Sequence, residues 1–454
     1  MARRSRPILV GMACSVALLG ACSTGEGNAD DASSEPSEQV APAEGATTTE
    51  PPEVPSTNGA TDRADSAPEA EPSLPPVSVD DLSELTGNLV LIDSDEQVVI
   101  TQPDGSLPLV VSDPDTVNSQ PTWSRNGSRV AWTSFGADGA TLSLATAEGE
   151  VTSVPVVSPA FYLSWSPDDT WIGGLRPTAG GMEMFVADIE AQTDRQVSQA
   201  QPFYFDWADD DAIVAALGSQ LLVDISASDA VNPLRRPLEL PLGAFQAPTV
   251  LPDGDVIAAL ILDNENALVR LTGADPEVIA TADAPMLISV SPDGQRVAAV
   301  VAPDVGGQQA ESEVIQFQFD EPIELETGRV TIIDLGTGES QTQPQEQVVA
   351  FSWSPDSTTL SLLSLNGSAL QWTFSTPEGD VDGAEFFPSA RFSQRYLPFF
   401  DQYNLSSTAW SPTSDAIVFA GTIDNEAGVF VDLVSDDAGP ARITEGEIAF
   451  WSPN

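Results

Sequence analysis

A chain of 454 residues with 69 acidic residues and 16 basic ones, every basic residue an arginine, carries a net charge of −53 and contains neither lysine nor histidine. That balance repels phosphate backbones and anionic lipid surfaces and so excludes nucleic-acid binding. The missing residue types remove the Ser-His-Asp triad, the Cys-His dyad, histidine metal ligands, the lysine Schiff base and the P-loop lysine.

The N-terminus carries Arg3, Arg4 and Arg6, then an apolar run from Pro7 to about Leu19. This is the charged and apolar grammar of a secretory signal. The run falls short of the about 20 residues a membrane-spanning helix needs. It ends in Leu19-Gly20-Ala21-Cys22, which matches the lipobox of bacterial lipoproteins. The resemblance implies that residues 1–21 are a signal peptide and that the Cys22 thiol accepts a diacylglycerol, with palmitate among its acyl chains. The expected location is extracytoplasmic, lipid-anchored to the membrane at the cell envelope. An ordinary secretory signal is the plain alternative, disfavoured by the polar acidic stretch that follows at once. Arg3-Arg4 hints at twin-arginine export, but the rest of that motif is absent. Cys14 lies within the signal and Cys22 is acylated, so the mature chain has no disulfide. Losing residues 1–21 removes three arginines and no acid, taking −53 to −56.

Residues 22–80 are rich in Ala, Ser, Thr, Glu, Asp and Pro, with almost no large apolar side chain. Such a segment cannot bury enough surface to fold. It reads as a disordered tether, with a coil reach of roughly 40 Å.

From 81 to 454 the texture changes to short Val-, Ile- and Leu-rich runs between Asp, Gly, Ser and Pro turns, the signature of an all-β domain. A Trp or Val before a polar turn recurs at Trp123, Trp165, Trp207, Val250, Val290, Trp353, Trp410 and Trp451, at steps of 42, 42, 43, 40, 63, 57 and 41. A period near 40–45 is that of a four-stranded propeller blade. The two long steps mark insertions near 303–326 and 383–405. The domain opens with three strands and no anchor (88–93, 97–102 and 107–111) and closes with a lone anchor strand, Ile448 to Trp451. Joining the two completes one blade and hides the sheet edges. The expected fold is an eight-bladed β-propeller, with seven blades as the other count because the anchors decay at Trp207, Val250 and Val290.

The phrase Trp-Ser-Pro-Asp-(Gly/Ser), as in Trp165-Ser-Pro-Asp168 and Trp353-Ser-Pro-Asp356, resembles the WD-repeat-like blades of the TolB-type propeller family, over about residues 85–454. The resemblance implies a scaffold, since that family's propellers are mostly protein-binding platforms. Within the turn, Pro presets the backbone and Asp caps free amides, so these residues are read as structural.

Function is expected on the insertions, which topology places on one face. The first is acidic (Glu311, Glu313, Asp320, Glu321, Glu324, Glu326), with an extra strand expected at Val314–Phe319. The second gathers Phe386, Phe387, Arg391, Phe392, Arg395, Tyr396, Phe399, Phe400 and Tyr403. Aromatics beside arginine are typical of interface anchors and ligand pockets. A loop with its own small core, folded over the ring or plugging its channel, is the equal alternative. Enzyme readings are weaker. Ser166-Pro-Asp168-Asp-Thr-Trp171 lacks the glycine of a sialidase Asp-box. Asp209-Asp210-Asp211 and Asp263-Asn-Glu265 lack calcium-loop spacing. The sequence therefore reads as a non-catalytic binding or scaffold module for a protein, peptide or glycan, with no metal or cofactor. The alternatives are an envelope-assembly scaffold within a larger complex and a carboxylate-based glycan-processing enzyme.

Overall fold

The computed structural model describes residues 82–454 apart from 180, 201–202, 218–220, 230–233, 238–241, 243–246, 263–264, 274, 283–285, 301–310, 316–322 and 436–437. The signal segment, Cys22 and the tether lie outside the described residues.

The described chain is nearly all β, as the alternating runs require. Consecutive strands form antiparallel four-stranded sheets in simple meander order. The sheet ending its first strand at Trp123 shows the plan: Val117–Trp123, Arg129–Gly136, Gly139–Thr146 and Val151–Val156. The sheets that begin with the Trp165, Trp207 and Val250 anchor strands repeat it. The Val290 sheet does too, with the hairpin Glu311–Ile315 and Ile323–Thr327 inserted between its second and third strands. The extra strand expected at 314–319 therefore starts at Glu311. The Trp353 and Trp410 units share one seven-stranded sheet, because the strand Gly379–Pro388 continues into the pairs Phe387↔Thr422 and Pro388↔Gly421. The first strand of the Trp410 unit is reduced to a single bridge, Trp410↔Ile417. The C-terminal strand Ile448–Trp451 pairs antiparallel with the N-terminal strand Leu89–Ile92, and these two share a sheet with Val98–Thr101 and Leu109–Val110.

The core lies between sheets. One apolar cluster joins the Trp123 and Trp165 sheets through Leu142, Leu144, Leu163 and Ile172. Another joins the Val250 and Val290 sheets through Ile257, Leu268, Ile288 and Val297. Strands buried on both faces need near-continuous apolar runs, as in Val256–Leu262.

The repeated phrase has a mechanical role. Four of the anchor tryptophans send the indole N–H back to the sheet before, whereas Trp451 donates to the Thr86 carbonyl. Trp165 donates to the Thr122 carbonyl (3.4 Å), Trp207 to Ser164 (3.2 Å), Trp353 to Ser289 (3.2 Å) and Trp410 to Ser352 (3.4 Å). Each of these four acceptors immediately precedes the previous anchor. Valine cannot make this bond. At Val250 the link is instead the Asp206 carboxylate, which accepts the Val250 N–H at 2.9 Å. The following Ser is buried at 0% exposure in the Trp123, Trp165, Trp353 and Trp410 turns. Ser354 Oγ accepts the Thr359 N–H (2.9 Å) and donates to Asp356 (2.6 Å), so it fixes the turn to the start of the next strand. Asp168 repeats the pattern. Burial opposes its ionisation, but the Thr170 and Ser166 hydroxyls and the Thr170 N–H outweigh that, and its pKa falls below the usual carboxylate range.

One turn position, four residues after the anchor, has positive φ in six of the turns. Gly127, Gly254 and Gly294 occupy it where no side chain is needed. Asp169, Ser357 and Ser414 adopt the same strained geometry, and each side chain accepts backbone N–H groups of the preceding turn: Arg125 (2.6 Å) and Asn126 (3.1 Å), Asp293 (3.0 Å) and Asp356 (3.1 Å). Left-handed backbone is tolerated there because the side chain links two sheets.

Candidate functional site

Beyond Pro388 the chain makes consecutive short helical turns: a π turn at Phe392–Tyr396, a 3-10 turn at Leu397–Phe399 and an α turn at Phe400–Tyr403. Ser389 Oγ accepts the Phe392 N–H at 3.1 Å and donates to the Glu447 carbonyl, starting the first turn and pinning it to the C-terminal strand. No sheet partner is in register here, so side chains fix the segment.

The nine predicted residues divide sharply. Phe386, Phe392, Tyr396, Phe400 and Tyr403 are buried in the largest apolar cluster of the fold. Phe387 and Arg391 are half-buried, and Arg395 and Phe399 are exposed. The buried rings meet the first strands of several sheets. Tyr403 packs edge-on to Tyr162 (5.5 Å), Phe400 to Phe351 (5.1 Å) and Tyr396 beside Phe450 (5.6 Å). Polar bonds repeat the pattern. Tyr403 donates to the Phe161 carbonyl (2.6 Å), Tyr162 to Gln402 (3.1 Å), Asn404 to Phe351 (3.0 Å) and Thr122 to Ser406 (2.6 Å). The hairpin strand Ile323–Thr327 of the first insertion packs beside Leu397–Phe399, so the two insertions meet. The segment is a plug seated on the first strands, and most of its aromatics serve that seat.

Arg391 is held at the plug's edge by Glu447 (3.2 Å), Glu96 (3.5 Å) and the Asn118 carbonyl (3.2 Å). Asn118 was not singled out by sequence, yet it is fully buried and organises this corner. Its amide oxygen accepts from Trp132 (3.1 Å) and Ser134 (2.9 Å), and its amide nitrogen donates to the Glu96 carbonyl (2.9 Å). An Asn inside a strand is unusual enough to have been a signal. Gln120, two residues on, has φ +60 within an irregularity of the strand between Ser119 and Thr122. Ser119, Gln120, Arg391, Arg395, Tyr396 and Tyr403 line one cleft.

The titratable groups of this region are structural acceptors and donors. Burial pushes the Tyr162, Tyr396 and Tyr403 phenols well above their usual range, which keeps them neutral hydrogen-bond donors. Burial likewise lifts Asp206 to about 6. Asp209 accepts the Asp211 and Ala212 N–H groups (2.8 and 2.7 Å), so that acidic run caps its own turn. Asp263 lies outside the described residues. Among the described residues no three carboxylates gather as a metal site.

No family model matches the chain, and no curated protein matches it. Among solved structures it is similar to a eukaryotic initiation factor, at 11% identity and a TM-score of 0.53, over 81% of this chain and 98% of that one. The β-propeller domain of the trilobed protease from Pyrococcus furiosus aligns at 12% identity and a TM-score of 0.46, over 73% and 96% of the two chains. TolB from Acinetobacter baumannii aligns at 14% and 0.37, over 66% and 65%. At these identities the first likeness bears on fold alone, and the other two are too distant to bear on it.

Proposed function

We propose that this chain is a lipid-anchored extracytoplasmic β-propeller of eight blades, closed by the pairing of Ile448–Trp451 with Leu89–Ile92, and that it works as a non-catalytic binding or scaffold module. The observation that supports this most is the plug. Its rings and phenols are committed to packing and neutral hydrogen bonds, while Arg395 and Phe399 stay exposed on a seat fixed by several sheets. A rigid platform with a few projecting side chains suits recognition, because little order is lost on binding. The half-exposed Val117 and Phe135, direct cross-strand partners, lie beside Asn118 and so next to Arg391. Together they make a ligand-facing end built from the plug and the Trp123 sheet.

Photo-crosslinkers at Phe135 and Phe399 of the full chain in intact envelopes test this reading. A discrete partner captured from these positions, and not from Asp253 or Ser414 in the turns between first and second strands, is the expected result. Capture from the turns alone, or from none of the positions, overturns it. The anchor is tested separately. Cys22→Ala is expected to fold normally and lose labelled palmitate; retained label defeats the lipoprotein reading.

A further inference from the structure

We propose that the cleft between the plug and the Trp123 sheet receives one carboxylate of a partner protein, an Asp or Glu side chain with an apolar neighbour, and that Arg395 is its counter-ion. The proposal rests on the binding-module reading above. In a chain with 69 acidic residues, arginines find carboxylates readily. Arg270 sits between Asp253 (2.5 Å) and Asp255 (2.6 Å), and Arg176 between Glu183 (2.6 Å) and Asp194 (2.5 Å). Arg129 and Arg296 lie over the Trp165 and Trp353 rings. Arg391 has Glu447 and Glu96. Arg395 has no ion pair or hydrogen bond among the described residues, although it lines the same cleft as Arg391 one helical turn away. Arg391 is already matched by Glu447 and Glu96, which leaves Arg395 to meet an incoming anion.

The surroundings narrow the ligand. The cleft offers about 20 Å³, on the scale of a single ordered water, so it takes the tip of a side chain and not a sugar ring. Gln120 lines it, and its positive φ and strand irregularity are of the kind that re-aims groups at binding sites. Exposed apolar side chains lie close by in the chain: Phe399, four residues after Arg395, is 37% exposed, Val117, two residues before Ser119, is 58%, and its cross-strand partner Phe135 is 51%. That combination fits a short peptide with one acidic and one apolar side chain. The net charge of −53 repels a partner that is acidic overall, so the partner is neutral or basic with a single acidic anchor. The long-range field then draws it in, and Arg395 sets its register.

The probes are N-acetyl-phenylalanyl-aspartate amide, its asparagine counterpart and glucuronate, titrated into the purified full chain by ligand-observed NMR. The aspartyl peptide is expected to bind saturably in the millimolar range and at least about ten-fold more tightly than the asparaginyl one. Arg395→Ala is expected to remove that preference. Arg395→Lys, which keeps the charge and loses the planar fork, is expected to restore it in part. Equal binding of the two peptides, an unchanged preference in Arg395→Ala, or no saturation below about 20 mM overturns the proposal. Glucuronate binding as tightly as the aspartyl peptide overturns it in favour of an acidic glycan. Crosslinking from Phe135 and Phe399 that persists in Arg395→Ala would leave the binding-module reading standing while removing the carboxylate.

Discussion

At the level of single residues, this fold is held by polar atoms in places where apolar ones would be expected. Ser354 shows why. Its hydroxyl is fully buried, accepts the Thr359 N–H and donates to Asp356. Ser354→Ala leaves the buried Thr359 amide without its partner, while Asp356 keeps Thr358, and a lost partner of that kind costs about 1–3 kcal/mol. A lower urea midpoint at unchanged m-value is the expected readout. Asp432 works in the opposite sense. It is 2% exposed, its carboxylate accepts the Ala384 N–H at 2.8 Å, and burial raises its pKa to about 7. The folded state therefore binds this proton more tightly than the unfolded chain, whose aspartates titrate near 3.9. The stability it contributes is present below about pH 4 and is lost as pH rises through about 7. Asp432→Asn keeps an acceptor for Ala384 and removes the charge. It should raise the thermal midpoint at pH 8 by roughly 2 °C for each kcal/mol recovered and have no such effect at pH 4. An equal shift at both pH values would show that the carboxylate does not ionise in place.

Elements differ in how openly the sequence declares them. The strands and turns were legible, because period-2 apolar runs, Ser-Pro-Asp turns and a period near 42 report directly on local geometry. The anchors at Trp123, Trp165, Trp207 and Trp353 fall at the ends of first strands as spacing required. The weak anchors made sense only in three dimensions. Asp206 substitutes for the indole missing at Val250 from 44 residues away, and no local pattern encodes that. The plug was half legible. Its composition announced a special segment, but the same rings suit an interface or a core, and what decides between them is the set of first strands it meets. Tyr403 can be tested at that level. Tyr403→Phe keeps the ring against Tyr162 and loses the bond to the Phe161 carbonyl, at an expected cost of about 1 kcal/mol. Tyr403→Ala also opens a cavity and should cost about 3–5 kcal/mol. If both variants unfold at the wild-type denaturant midpoint, the segment is not seated as described.

Over the whole molecule, charge and topology act against each other. Sheet after sheet is linked to its neighbour by an indole, a serine or an aspartate, and the last strand pairs with the first, so cohesion comes from short-range contacts that salt barely touches. The charge of −53 is long-range and unfavourable to a compact state. Folding brings carboxylates within a Debye length, about 10 Å at 0.1 M salt and about 3 Å at 1 M. The unfolded chain spreads the same charges over a larger volume and repels itself less. Screening should therefore stabilise the folded state, even though it weakens surface pairs such as Arg270 with Asp253, whose own contribution is small. The thermal midpoint is expected to rise between 0.05 M and 1 M sodium chloride and then level off as screening saturates. A midpoint that falls with salt would mean that ion pairs, not the linked sheets, hold the fold. A rise that continues in proportion to concentration would point to salt exclusion from the surface instead of relief of self-repulsion.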